Sequence, residues 1–239
     1  MTDAHLHLKG VEGESGAAKG MCLCAAEQGD WCEVESMALK DRRIVPAFGV
    51  HPSFALKISA DWKDLLEERL LRIPAAVIGE IGLDGCDACP VDHQIQLSVF
   101  REQLDLASRH GRAVVVHGAK AWGAVADVLV DFSRRIPVLI LHGFGASLPL
   151  MRRFLQMGAY FSFGPMLCND NARKVRECFA AVPDGRWLLE TDAPNRQKIS
   201  LTELYEKASA IRDVSMVDET FLRAINTLDF CAENVNNVG

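Results

Sequence analysis

Four histidines and two carboxylates stand where short apolar runs end: His5 and His7, Glu80, His117, His142 and Asp192. The runs read Asp3-Ala4-His5-Leu6-His7, Val77-Ile78-Gly79-Glu80, Val114-Val115-Val116-His117, Leu139-Ile140-Leu141-His142 and Leu188-Leu189-Glu190-Thr191-Asp192. Imidazole nitrogens bind zinc and related divalent ions, and a carboxylate can bridge two of them. Side chains two apart on a strand share a face, so His5 and His7 form a chelating pair. Four neutral imidazoles and two carboxylates carry about −2, so two divalent ions would leave the site near +2, suited to a phosphodiester anion. Paired ions activate water and stabilise attacking and leaving oxygens. Asp192 is the candidate to accept the water's proton, and Glu80 and Asp192 are the pair expected to carry the chemistry.

Donors this far apart in the chain need elements that gather strand ends. Apolar windows at 3–7, 21–25, 44–50, 75–81, 113–117, 138–142, 160–163 and 187–192 read as strands. Helical patterns separate most of them. Residues 61–72 carry Trp62, Leu65, Leu66 and Leu70, and residues 91–110 place Leu97, Phe100, Leu104 and Ala107 on one face before Gly111. Further helices are expected over 122–135, 147–156, 171–181 and 201–212, with a terminal packing helix over 218–232. This alternation implies a parallel sheet, and eight windows in 239 residues match an α/β fold of the TIM (β/α)8 barrel type. Such a barrel would be a single domain over 1–239, with its site at the C-terminal ends of the strands. Gly10, Gly13, Gly16 and Gly20 make a stable helix unfavourable after the first strand, so that crossover is expected to be a loop.

Composition narrows the class. The chain is 49% hydrophobic and 24% charged, ordinary for a globular protein. No apolar stretch reaches the roughly 20 residues that span a bilayer, and no basic then apolar leader opens the sequence. Eight cysteines without an export signal fit reduced thiols in a cytoplasm, and Cys86/Cys89 has no second pair to complete a zinc knuckle. A net charge of −6, with small scattered basic clusters, excludes a broad electrostatic grip on duplex DNA. Nucleic acid, if bound, is held at the site itself.

The blocks His5-Leu6-His7, Gly49-Val50-His51-Pro52, Gly79-Glu80-Ile81-Gly82-Leu83-Asp84, Val116-His117, Leu141-His142 and Glu190-Thr191-Asp192-Ala193-Pro194 resemble the TatD family of metal-dependent deoxyribonucleases. Gln96, Phe100, Gln103, Leu104 and Ala107 match that family's helix ahead of the third ligand strand. The resemblance runs in order over about residues 3–195. It implies a TIM barrel of the amidohydrolase type holding one or two divalent ions (Mg²⁺, Mn²⁺ or Zn²⁺). His5, His7 and Asp192 would hold the first, Glu80 would bridge, and His117 and His142 would hold the second. The implied substrate is DNA or a short oligonucleotide, with no membrane and no obligate protein partner.

Other residues are secondary candidates. His51 is placed either to meet the scissile phosphate or to cap its loop beside Pro52. Arg196 is a candidate phosphate clamp in a loop shortened to Asn195-Arg196-Gln197-Lys198. Glu190 is expected to hydrogen-bond a ligand histidine, and Asp84 to order the Glu80 loop. Phe54, Trp122 and Phe144 could stack on a base or simply pack. The glycine-rich segment after His7 and Gly85-Cys86 after the Glu80 block depart from the family pattern, which alters the substrate walls rather than the metal set. Two other readings remain open: an amidohydrolase acting on an amide, lactone or ester, and a catalytically silent metal-binding barrel.

Overall fold

The computed structural model describes residues 1–11, 18–194 and 197–213. Eight strands, β1 (Asp3–Leu6), β2 (Met21–Cys24), β3 (Ile44–Phe48), β4 (Val77–Gly82), β5 (Val114–His117), β6 (Leu139–Leu141), β7 (Tyr160–Phe163) and β8 (Trp187–Leu189), pair in parallel in chain order. Leu6 bridges to Ala193, the Asp192 amide donates to His5 O (3.0 Å) and the His7 amide to Ala193 O (2.8 Å). These bonds tie the segment after β8 to β1 and close a TIM barrel. Every sequence window became a strand; His5 and Glu80 lie within β1 and β4, His117 ends β5, and His7, His142 and Asp192 follow β1, β6 and β8.

Alternate strand positions bury opposite ways. Ala4, Cys22, Ala47, Val77, Val115 and Leu188 fill the barrel interior, while Leu23, Phe48, Ile78, Val116, Phe161 and Leu189 face the helices. Both faces being apolar is what a parallel sheet covered by helices requires. The cover is α1 (Trp31–Lys40), α2 (Trp62–Arg72), α3 (His93–Arg109), α4 (Trp122–Leu129), α5 (Leu148–Gln156), α6 (Arg173–Ala181) and α7 (Leu201–Arg212).

Helix α1 has no counterpart among the sequence windows. Its buried stripe is only Trp31 and Val34, with Met37 and Ala38 partly covered, too short to stand out beside Cys32 and Ser36. Helix α4 stops at Leu129, short of 135, because the chain turns through Asp131-Phe132-Ser133 ahead of Pro137. Between β1 and β2 the described residues hold a 3-10 turn, Leu8–Gly10, and no α-helix. Residues 12–17 of that crossover, and the helix expected over 218–232, lie outside the described residues. Among those described, no helix is long and apolar enough to cross a membrane.

Two register slips aim the site. On β1, Asp3 pairs with Met21 and Leu6 with Leu23, so three steps match two. On β4, Ile78 pairs with Val114 and Ile81 with Val116, the same mismatch. Plain alternation from Ala4 and Val77, both interior, would send His5 and Glu80 outward. The extra residue in each strand turns them inward, as bulges beside active sites do.

Candidate metal centre

Each donor is held by its own element. Asp3 is fully buried, and its carboxylate accepts from the amides of His5 (3.3 Å) and Thr191 (2.9 Å) and from the Thr191 hydroxyl (2.6 Å). One carboxylate therefore locks the end of β8 to β1, setting Asp192 beside His5. A Cβ on Gly49 would fall 2.7 Å from the Gly79 carbonyl carbon, so glycine there lets the ends of β3 and β4 close on one another. Helix α3 fixes two loops through glutamines. Gln103 accepts from the Val50 amide (2.8 Å) and donates to its carbonyl (3.2 Å), while Gln96 accepts from the Asp84 amide (2.8 Å) and donates to Val91 O (2.8 Å).

The six expected donors converge. His5 Nε2 and His7 Nε2 lie 3.3 Å apart; Glu80 Oε2 is 3.5 and 3.6 Å from them, and Asp192 Oδ1 is 3.8 and 3.7 Å. Two donors of one tetrahedral ion, each at about 2.0–2.1 Å, stand about 3.3–3.4 Å apart. The His7 Nδ1–H donates to Cys24 O at 2.9 Å, which leaves the Nε2 lone pair facing the group. This set fits an ion with little movement.

Glu80 turns its other oxygen to the second set. Oε1 lies 3.4 Å from His142 Nε2 and 2.7 Å from His117 Nδ1. The 2.7 Å contact is a hydrogen bond, closer than two ligands of one ion stand, so the pair must part by about half an ångström to share one. Behind His142, Glu190 is fully buried, with Oε1 2.8 Å from His142 Nδ1 and accepting the Gly143 amide at 2.7 Å. The carboxylate faces the ring as an ion-pair partner where a hydrogen bond was expected.

His51 faces the group from β3's end without being a ligand. Its Nδ1 accepts the Ser53 amide at 3.1 Å, so the neutral ring carries its proton on Nε2, 3.8 Å from Glu80 Oε1. It both caps its loop and presents a donor. Asp84 and His117 come within reach of it, but with Nδ1 engaged and Nε2 protonated it has no lone pair to give a metal. Asp84 accepts the Cys86 amide at 2.8 Å and lies 3.6 Å from His117 Nε2, ordering the loop after β4 as expected.

Charge in the cluster is uneven. Burial and the neighbouring His142 hold His5 well below its ordinary value, so it is neutral. Burial works against the Glu80 carboxylate, yet His142, His51, His5 and His117 outweigh it and keep the group ionised. Burial lowers His51 to about 4. It also disfavours protonated His117 and His142, but Glu80 and Asp84 lift the first to about 9, and Glu190 and Glu80 lift the second to about 10. Burial, with Glu190 and Glu80 nearby, raises Asp192.

The neighbouring carboxylates thus favour protonated His117 and His142 at neutral pH in the metal-free chain, and a second ion would have to displace those protons. Each displaced proton makes apparent affinity climb about tenfold per pH unit up to the folded pKa. Affinity for a second equivalent of Mn²⁺ or Zn²⁺ is expected to rise steeply between pH 7 and 9, with proton release seen by calorimetry in buffers of different ionisation enthalpy. Free histidine ligands would lose metal near about pH 6.5; the carboxylates move that loss upward for this half. A second-ion affinity flat from pH 7 to 9 would contradict the ligation.

Four sequence candidates fare differently. Arg196 lies outside the described residues. Trp122 and Phe144 are packing residues: both are buried, with Phe144 ringed by Trp122, Phe154, Phe161 and Phe163 at centroid distances of 5.1, 6.1, 4.8 and 6.2 Å. Phe54 is partly buried against the core with Lys57 over its ring, beside His51 rather than over the metal group. Sequence reasoning passed over Asp3, although an acid two residues before His5 on the same strand was a visible signal.

A sequence model of the TatD related DNase family matches residues 2–226. The chain belongs to the TatD family. It is 32% identical over 152 residues to the metal-dependent hydrolase YabD of Bacillus subtilis, covering 63% of this chain and 59% of that one. It is 33% identical over 175 residues to the metal-dependent hydrolase YjjV of Escherichia coli K12, covering 72% and 66%. The match to the 3′-5′ ssDNA/RNA exonuclease TatD of Pantoea ananatis is 32% identical over 147 residues, covering 61% and 56%. These matches thus span less than two thirds of each relative's length. The crystal structure of E. coli YjjV superposes with a TM-score of 0.82 at 26% identity, covering 97% of both chains. In this TatD family member the strands that carry the motif blocks are those that bring the donors together.

Proposed function

We propose that this chain is a metal-dependent phosphodiesterase that shortens single-stranded nucleic acid. Glu80 carries the reading: one oxygen faces the His5/His7 pair and the other faces His117 and His142. A carboxylate so placed suits two ions sharing a ligand, and the P. ananatis relative's name as an exonuclease supports the substrate class. The imidazole-rich donor set favours zinc or a similar transition ion over magnesium. When bound, two such ions supply water activation and neutralise phosphoryl charge.

The chain's own groups do the rest. His5, His7, Glu80 and Asp192 would hold a first ion, and Glu80, His117 and His142 a second. Glu190 orients His142. The His51 Nε2–H donates to a non-bridging phosphoryl oxygen. Asp192, whose side chain is half-exposed at 47% beside the His5/His7 pair, is the group placed to accept the water's proton. The seven cysteines described are free thiols, which supports a reducing compartment such as the cytoplasm.

A 5′-labelled single-stranded oligonucleotide incubated with the protein and Mn²⁺ or Zn²⁺ is expected to give a descending ladder, abolished by chelator. Intact oligonucleotide under every metal condition would end the nuclease reading. The cavity beside the metal group has no Lys or Arg among its described lining residues, which also suits a neutral amide or ester. Inhibition by phosphate and nucleotides but not by carboxylates separates the diesterase from that alternative.

A further inference from the structure

A cavity of about 630 Å³, within the range of small-molecule sites, opens directly from His7, His117, His142 and Asp192. The rest of its lining, its outer arm, is Gly143, Phe144, Gly145, Gly164, Pro165, Met166, Val175, Pro194 and Gln197, with the Glu190 carboxylate as the acid beside the glycines. Met166 is 43% exposed, one of few large apolar side chains left open to solvent among the described residues. It sits on the 3-10 turn Pro165–Cys168 directly after β7, fixed by the Leu167 amide donating to Gly164 O (3.0 Å) and the Asn169 amide to Met166 O (3.2 Å). Phe144 lines the arm from below, held rigid by its ring of aromatic neighbours.

This chemistry selects the occupant. A phosphate moved into an apolar arm without a cation would lose hydration and gain no partner. The Gln197 amide, which also lines the arm, offers both a donor and an acceptor. A flat apolar body with a polar edge matches such walls, and methionine sulfur makes favourable contacts with aromatic rings. The arm begins at the metal donors, so whatever fills it is bonded to the phosphate under attack.

We infer that the arm seats the nucleobase of the terminal nucleotide being released, with Met166 against its face and Gln197 at its edge. The inference rests on the nuclease reading and deepens it. Stacking on a flexible thioether discriminates little between bases, so the arm requires a base without selecting one.

The test compares kcat/KM for two single-stranded oligonucleotides that differ only at the 3′ terminus, one ending in thymidine and one in an abasic tetrahydrofuran residue. The base-bearing substrate is expected to be favoured roughly five- to tenfold, the upper part of the range for a thioether against an aromatic ring. Met166→Ala should bring that ratio below about threefold, mostly through KM, whereas Met166→Leu, which restores apolar bulk, should keep most of it. Met166 lies on an exposed turn, and circular dichroism and metal content confirm that the variants are folded and loaded. Equal rates on the two termini in the wild type, or an undiminished ratio in Met166→Ala, overturn the inference while leaving nuclease activity standing. No cleavage of either substrate removes the nuclease reading and this inference with it.

Discussion

Glu80→Gln is expected to abolish binding of the metal pair and to lower hydrolysis by about 10³ or more, beyond what removal of one transition-state donor costs elsewhere. Glutamine matches the shape of glutamate but is neutral, and one of its two ends is an NH2 donor. Whichever way it turns, that donor meets either the His5/His7 nitrogens or His142 and His117, where lone pairs should meet an ion. The carboxylate is also the negative charge that all four of these imidazoles face, at 3% exposure. The fold should survive, because β4 is held by Gly79 packed on Val115 and by its own ladder rather than by the Glu80 charge. Metal analysis of protein purified without chelator checks the first half of the expectation, and oligonucleotide hydrolysis the second. A glutamine variant holding two ions would show that Glu80 does not bridge.

The two halves of the centre are not equal. The His5/His7 side already has donor separations close to those of one ion's ligands, and His5 is neutral without metal. The other side is closed on itself by the His117–Glu80 hydrogen bond and carries protons that must leave. One equivalent of metal should therefore enter first and more tightly, on the side where Asp192 stands.

The barrel and the donors were legible because both rest on local signals. Apolar runs of four to six residues ending in histidine or acid mark the strand ends, and the intervening helices announce themselves through Trp62-Leu66-Leu70 or Phe100-Leu104-Ala107. What stayed hidden depends on contacts between distant segments. No pattern in Ala4-His5 or Gly79-Glu80 shows that one extra residue in each strand turns the ligand inward; that emerges only when β1 is paired with β2 and β4 with β5. The work of Asp3 needs Thr191 beside it, 188 residues away. The proton position on His51 is set by the Ser53 amide, and the apolar arm comes from turns after β6, β7 and β8. Helix α1 escaped notice for another reason: its apolar stripe is two residues deep.

Asp192→Asn is expected to keep the fold and most of the first ion's affinity, yet lower kcat by about 10²–10⁴, the usual scale of a lost general base. Asp192 has φ of +51°, a left-handed conformation that asparagine tolerates as well as aspartate does, so the backbone need not change. Its amide still donates to His5 O, and Asp3 still grips Thr191, so the side chain stays where it is. The amide oxygen remains a weak donor toward the ion held by His5, His7 and Glu80, but it cannot take a proton. In the wild type Asp192 must be ionised to take the proton, so at saturating metal the rate declines on the acid side as the carboxylate is protonated. The variant should lack this limb and run low and flat across it. A kcat within threefold of wild type would move the proton acceptor elsewhere. Loss of the first ion together with activity would show instead that Asp192 serves mainly as a ligand.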